Sequence, residues 1–113
     1  MVNHFDHVSI EKRAHVYLDG RCISYNLTFP DHSKKTLGVV LPGCVTFAAD
    51  AAQTMEIVAG KCRVRLSGGE WQNYEQGQRF HVPGHTSFEV ETAGPLHYVC
   101  HLSNQGASAQ QAG

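Results

Sequence analysis

The stretch Gly77-Gln78-Arg79-Phe80-His81-Val82-Pro83-Gly84-His85-Thr86-Ser87-Phe88 decides the fold. Arg79 to Val82 ends at Pro83-Gly84, a pair that marks a turn. Thr86 to Thr92 then alternates, with Thr86, Phe88 and Val90 on one side and the polar Glu89 and Glu91 on the other. Period two puts successive side chains on opposite faces and identifies a half-buried strand. The run is therefore a corner between two strands. It aims Thr86, Phe88 and Val90 inward and leaves His85 and Ser87 near the rim.

The rest of the chain repeats this pattern. Arg21 to Phe29 alternates strictly, with Ile23, Tyr25, Leu27 and Phe29 on one face and Cys22, Ser24, Asn26 and Thr28 on the other. Ala14 to Leu18 alternates before it, and Asp19-Gly20 between them is a hairpin turn. Thr36 to Leu41 stops at Pro42-Gly43, and Val45 to Ala49, Thr54 to Val58, Lys61 to Leu66, Trp71 to Tyr74 and Leu96 to Leu102 follow. Such segments, about nine or ten with turn signals roughly every 8–12 residues, make an all-β sandwich or barrel. Asp50 to Thr54 is read as a single helical turn. Residues 1–103 form one domain, and 104–113, small and polar, form a disordered tail.

Composition removes several classes. Net charge is −1 and the pI near 6.7, so there is no electrostatic footprint for nucleic acid or anionic membrane. No apolar run approaches the ~20 residues of a membrane span. Met1 to Asp6 is polar and lacks a signal peptide's apolar core, so a cytoplasmic location is expected. Four cysteines, Cys22, Cys44, Cys62 and Cys100, lie far apart with no Cys-x-x-Cys pair. In a reducing compartment all four read as buried, inert free thiols.

The Gly77-to-Pro83 spacing resembles the second signature of a cupin barrel, a jelly-roll-like fold. In metal-binding cupins that signature continues to a histidine ligand, and here the slot is Phe88. The first signature requires a His-x-His pair before a glycine-ended strand, yet no histidine stands between His32 and His81. Three ligands are the usual minimum for a catalytic ion, so no metal is expected. His97 and His101 share a strand face and His81 and His85 flank Pro83; they read as rim histidines or as ligands of an improvised site. Lys61, Arg63 and Arg65 alternate on one face, either as a solvated row answered by Glu89 and Glu91 or as an anion holder. Lys34-Lys35-Thr36 lies where a loop enters a strand, and two cations, a hydroxyl and nearby amides can cradle phosphate. If Phe47 and Ala49 point inward with Phe88, the interior is aromatic and suits a stacked ring ligand; a closed core is the alternative.

Lys34 to Gly43, Thr46-Phe47, Met55 to Gly60, Trp71 to Tyr74, Gly77 to Phe88 and Tyr98-Val99-Cys100 resemble the pyrimidine/purine nucleoside phosphorylase family of small bacterial cupins. The resemblance runs from about Val8 to Leu102. It implies phosphorolysis: a purine or pyrimidine nucleoside and inorganic phosphate give a free base and α-D-ribose 1-phosphate, with broad specificity. It implies a pentosyltransferase acting as a homodimer, with no cofactor and phosphate as co-substrate. On residue type and parity, Phe47, Phe88 and Tyr98 are candidates for the base and ribose wall. Lys34, Thr36, Arg79 and Ser87 are candidates for phosphate. His85 is a candidate donor to the departing base or to phosphate, with a rim histidine as the alternative. Glu56 is a candidate bridge to ribose hydroxyls, with outward solvation as the alternative. Cys44 departs from the family, which usually has glutamate there; that bears on activity only if the carboxylate is catalytic. Two rival readings are a non-catalytic cupin module that binds a nucleoside or other small ligand, and a metal cupin with an unusual ligand set.

Overall fold

The computed structural model describes residues 4–102, which form eleven strands and no helix. The Asn3 end and the predicted 104–113 tail lie outside the described residues. One sheet is built from β1 (Ser9–Ile10), β2 (His15–Tyr17), β3 (Cys22–Thr28), β4 (Lys34–Val40), β11 (Leu96–Leu102), β6 (Gln53–Ala59) and β9 (Arg79–Val82). Its order is β1-β3-β4-β11-β6-β9, with β2 also pairing with β3. The second sheet runs β5 (Gly43–Ala49), β10 (Thr86–Thr92), β7 (Lys61–Leu66), β8 (Gln72–Glu75). All pairings are antiparallel. The two sheets face one another and bury Phe88, Ile57, Leu96, Val40, Val82 and Val90 between them. The all-β, jelly-roll-like class expected from the alternation is the class observed.

Local chemistry explains the joints. The β2–β3 hairpin turns through Leu18, Asp19 and Gly20 at φ 56°, 56° and 80°, and the Arg21 amide donates to the Leu18 carbonyl at 3.0 Å. Positive φ matches the twist of a tight hairpin and favours Asp-Gly. Asp50 to Thr54 is not a helical turn; the chain bends there and β6 begins at Gln53, so no intrachain helical bond competes with the ladder.

Two further expectations differ from the structure. Cys22, Cys62 and Cys100 are buried, but Cys44 is exposed, because it occupies the outward parity of β5 opposite Glu91. On β3 the alternation marks a strand, but hydrophobicity does not choose the buried face. Cys22 and Ser24 point to the core while Tyr25 is 37% exposed, although Leu27 on the Tyr25 face is buried as the alternation predicts. On β10 the parity reading holds: Phe88 and Val90 are buried and Glu89 and Glu91 face outward. The cation row on β7 is answered as a solvated face. Arg63 pairs with Glu91, Arg65 Nε donates to Glu89 at 2.7 Å, and both guanidinium groups lie over Trp71, at 4.4 and 4.8 Å from its ring.

Candidate active site

The β2–β3 hairpin brings Tyr17 beside Cys22 and His15 beside Ser24, with all four on the core face of the larger sheet. Pairing of β3 with β4 sets Asn26 next to Thr36. Together with Val16, the side chains of His15, Tyr17, Ser24, Asn26 and Thr36 line an open recess of about 450 Å³. That is within the usual range of small-molecule sites.

Its inner end is a chain of hydroxyls. The Tyr17 and Tyr98 hydroxyls are 3.3 Å apart, Cys22 Sγ is 3.3 Å from the Tyr98 hydroxyl, and Ser24, only 4% exposed, lies on the same face of β3 as Cys22. Burial pushes the Tyr17 phenol up to about 12, with the Cys22 contact adding to the effect. Burial raises Tyr98 further, reinforced by its bonds to Cys22 and Tyr17. A phenol held above its ordinary range stays protonated at neutral pH, so this end of the recess is neutral and hydrogen-bonding. Burial also pushes the Cys62 and Cys100 thiols up to about 11, which removes them as thiolate nucleophiles.

Beside the hydroxyls stands an aromatic wall. Phe47 stacks on Phe88 with ring centroids 5.1 Å apart and meets Tyr17 edge-on at 6.2 Å; Phe88 in turn meets Phe80 edge-on at 6.2 Å. Phe88 is 1% exposed and braces Phe47, which is the accessible ring of the pair.

The candidates read from the sequence therefore fall in three places. Thr36 lines the recess and Lys34 shares its strand face, while Tyr98, Phe47 and Phe88 stand behind its Tyr17 without lining it: Tyr98 meets the Tyr17 hydroxyl, Phe47 meets the Tyr17 ring, and Phe88 stacks on Phe47. Glu56 and Arg79 lie on the outer face of the larger sheet, in a separate charged chain. There Lys35 Nζ donates to His101 Nδ1 at 2.9 Å, His101 Nε2 donates to Glu56 at 2.8 Å, and Arg79 is 3.6 Å from the same carboxylate. His85 is exposed on the Pro83–Thr86 corner at φ 57°, and Ser87 points outward beside it. Reading by residue type missed His15, Tyr17, Ser24 and Asn26. The signal for them was the Asp19-Gly20 turn, which fixes β2 against β3 and so defines their cross-strand neighbours.

A second, larger recess of about 690 Å³ lies at the other sheet, lined by Cys44, Lys61, Arg63, Tyr74 and Glu91 among others. Its Arg63 is already paired with Glu91, and its Tyr74 ring is packed on Phe80 at 4.7 Å. The recess that sets the Tyr17 ring beside a row of neutral polar groups is the better site.

Cupins commonly carry a metal, and the donors here do not fit one. The ligand slot at Phe88 is occupied by a ring packed on Phe47, and among the described residues no three His, Cys, Asp or Glu side chains converge.

Comparison with known proteins places this geometry. The family model described as pyrimidine/purine nucleoside phosphorylase matches residues 12–102. A relative of that name from Cupriavidus taiwanensis is 54% identical over 102 residues, covering 89% of this chain and 97% of its own. Another from Methylococcus capsulatus is 50% identical over 102 residues, covering 89% and 99%. The crystal structure of a protein of unknown function from Acinetobacter sp. ADP1 superimposes with a TM-score of 0.87 at 44% identity, covering 90% of this chain and all of its own. A cupin family protein from Methanocaldococcus jannaschii with a double-stranded β-helix fold gives a TM-score of 0.59 at 18% identity, covering 81% and 90%, and shares the fold.

Proposed function

The chain belongs to the pyrimidine/purine nucleoside phosphorylase family, and on that premise we propose that it is a pentosyltransferase that cleaves nucleosides with phosphate. A phosphate oxygen attacks C1′ of the ribose, the C1′–N bond breaks, and its electron pair leaves with the base, which takes up a proton. The products are the free base and α-D-ribose 1-phosphate. Because phosphate is both nucleophile and counter-charge to an oxocarbenium-like ribosyl group, the protein needs neither a covalent nucleophile nor a metal. Its task is to hold two substrates in line.

One observation carries this reading: a single recess sets an aromatic ring, Tyr17, backed edge-on by Phe47 at 6.2 Å, beside a row of neutral hydrogen-bonding groups, Ser24, Asn26 and Thr36. The ring holds the base by stacking, and an apolar surface discriminates weakly between bases. That supports breadth across purines and pyrimidines. Thr36 and Lys34, on one face of β4, supply a hydroxyl and a cation for phosphate. The working unit is a homodimer in the cytoplasm. Exposed Ile10, Val16, Tyr25 and Leu37 on the larger sheet supply apolar contact area, and four free cysteines suit a reducing compartment.

The test is to incubate purified protein with uridine or adenosine, with and without phosphate, and with a chelator. Release of base that requires phosphate and ignores the chelator is expected. Nucleoside binding with no release would instead make the chain a non-catalytic binding module, and loss on chelation would restore a metal.

A further inference from the structure

His15 lies opposite Ser24 and lines the recess with Asn26 and Thr36, yet nothing so far gives it a task. Asn26 Nδ2 is 3.1 Å from Glu11 Oε1 and 3.0 Å from His15 Nε2. A carboxylate only accepts, so the side of the Asn26 amide facing Glu11 is its nitrogen. That nitrogen has two hydrogens and no acceptor role. One goes to Glu11 and the other to His15 Nε2, which must therefore be the unprotonated nitrogen of the ring. The imidazole hydrogen is then on Nδ1, and among the described residues Nδ1 has no partner.

We propose that His15, fixed in this tautomer by Asn26 and Glu11, donates its Nδ1 hydrogen to the phosphate co-substrate. This rests on the phosphorolysis reading. Every nucleoside brings a different base edge but the same ribose and the same phosphate, so a rigid donor in a site of broad base specificity belongs with the common parts. Of these, phosphate fits best, because Nδ1–H is a donor alone, Thr36 adds a second donor, and Lys34 on the same strand face adds the positive charge. Glu11 is held on the far, Nε2 side of the ring, 3.5 Å from that nitrogen.

The tautomer makes the test specific. An asparagine amide nitrogen reaches the place of Nδ1, whereas a glutamine amide nitrogen reaches the place of Nε2. Binding of inorganic phosphate alone is measured by calorimetry in wild type, His15→Ala, His15→Gln and His15→Asn, and KM for phosphate and for uridine is measured in the same proteins. Loss of a hydrogen bond to a charged partner weakens phosphate roughly 10- to 100-fold in the Ala and Gln variants. His15→Asn stays within about 3-fold of wild type, and KM for uridine is unchanged throughout. The side chain is half exposed and outside the core, so all four proteins should melt alike. Equal phosphate affinity in all four overturns the proposal, as does Gln rescuing in place of Asn, or a change confined to uridine. Wild type that binds phosphate through His15 but releases no base would overturn the phosphorolysis reading and leave the His15 assignment standing.

Discussion

Gly38 lacks a side chain because the Tyr98 ring fills its space: a Cβ there would sit 2.6 Å from the phenol oxygen. Gly38→Ala must push Tyr98 off Cys22 and Tyr17, which costs about 1–3 kcal/mol for overpacking. A lowered melting temperature with reduced turnover is expected; an unshifted melting curve would show that the ring has room to move. Phe47 backs the Tyr17 ring of the recess, so Phe47→Ala should raise KM for uridine and adenosine alike, by roughly 2- to 10-fold for an aromatic pair that contributes about 0.5–1.5 kcal/mol. KM for phosphate should not change. A loss limited to one base would mean that the ring reads identity rather than plain aromatic surface. Cys44 stands outward and exposed opposite Glu91, away from the recess. Cys44→Glu, which restores the family's usual residue, should therefore leave kcat/KM within about twofold and change stability by less than ~0.5 kcal/mol, the ordinary scale of a surface exchange. A large gain in turnover would place chemistry at the second recess instead.

At the scale of the element, most of the fold was legible because turns and parity are local. The limits of Lys61–Leu66, Arg79–Val82, Thr86–Thr92 and Leu96–Leu102 follow from the alternating runs and the Gly and Pro residues around them. What was not legible is what one strand shows another. Strand β3 turns its small Cys22 and Ser24 toward the Tyr17 and Tyr98 rings, which need that space, and leaves Ile23 and Tyr25 on the other face, where only Leu27 is fully buried. Hydrophobic pattern alone points the other way. Glu56 and Arg79 look suitable by residue type, but the flanking Met55 and Ile57 are buried, so parity sends Glu56 to the outer face and into the His101 chain. The same cross-strand logic organises the smaller sheet. Trp71 covers both Arg63 and Arg65, so Trp71→Ala should destabilise by about 1–2 kcal/mol, the sum of two exposed cation–π contacts. Urea unfolding measures this, and an unchanged midpoint would mean that the Glu89 and Glu91 pairs alone hold the arginines.

For the whole molecule, the buried acids set the response to alkali. An unfolded thiol ionises near 9, whereas Cys62 and Cys100 in the fold ionise near 11. Raised folded values mean that their contribution is complete below about pH 9 and is lost as pH climbs through 11. Each thiol contributes ~2–3 kcal/mol by this linkage, and the half-exposed Tyr17 adds in the same direction. The urea midpoint should hold steady from pH 7 to 9 and fall steeply by pH 11; a flat profile across that window would show that the thiols are already solvated. Two variants separate a reaction in the recess from one on the outer face of the larger sheet. The decisive measurement is kcat/KM for phosphate, with uridine saturating, in Thr36→Val and Glu56→Gln. One removes the recess hydroxyl and the other removes the outer-face carboxylate. The recess account predicts a loss of roughly 10- to 100-fold for Thr36→Val, the range for a hydrogen bond to a charged group, and a value within about twofold of wild type for Glu56→Gln. The reverse order, an intact Thr36→Val and a crippled Glu56→Gln, would contradict it and move the site to the other side of the sheet.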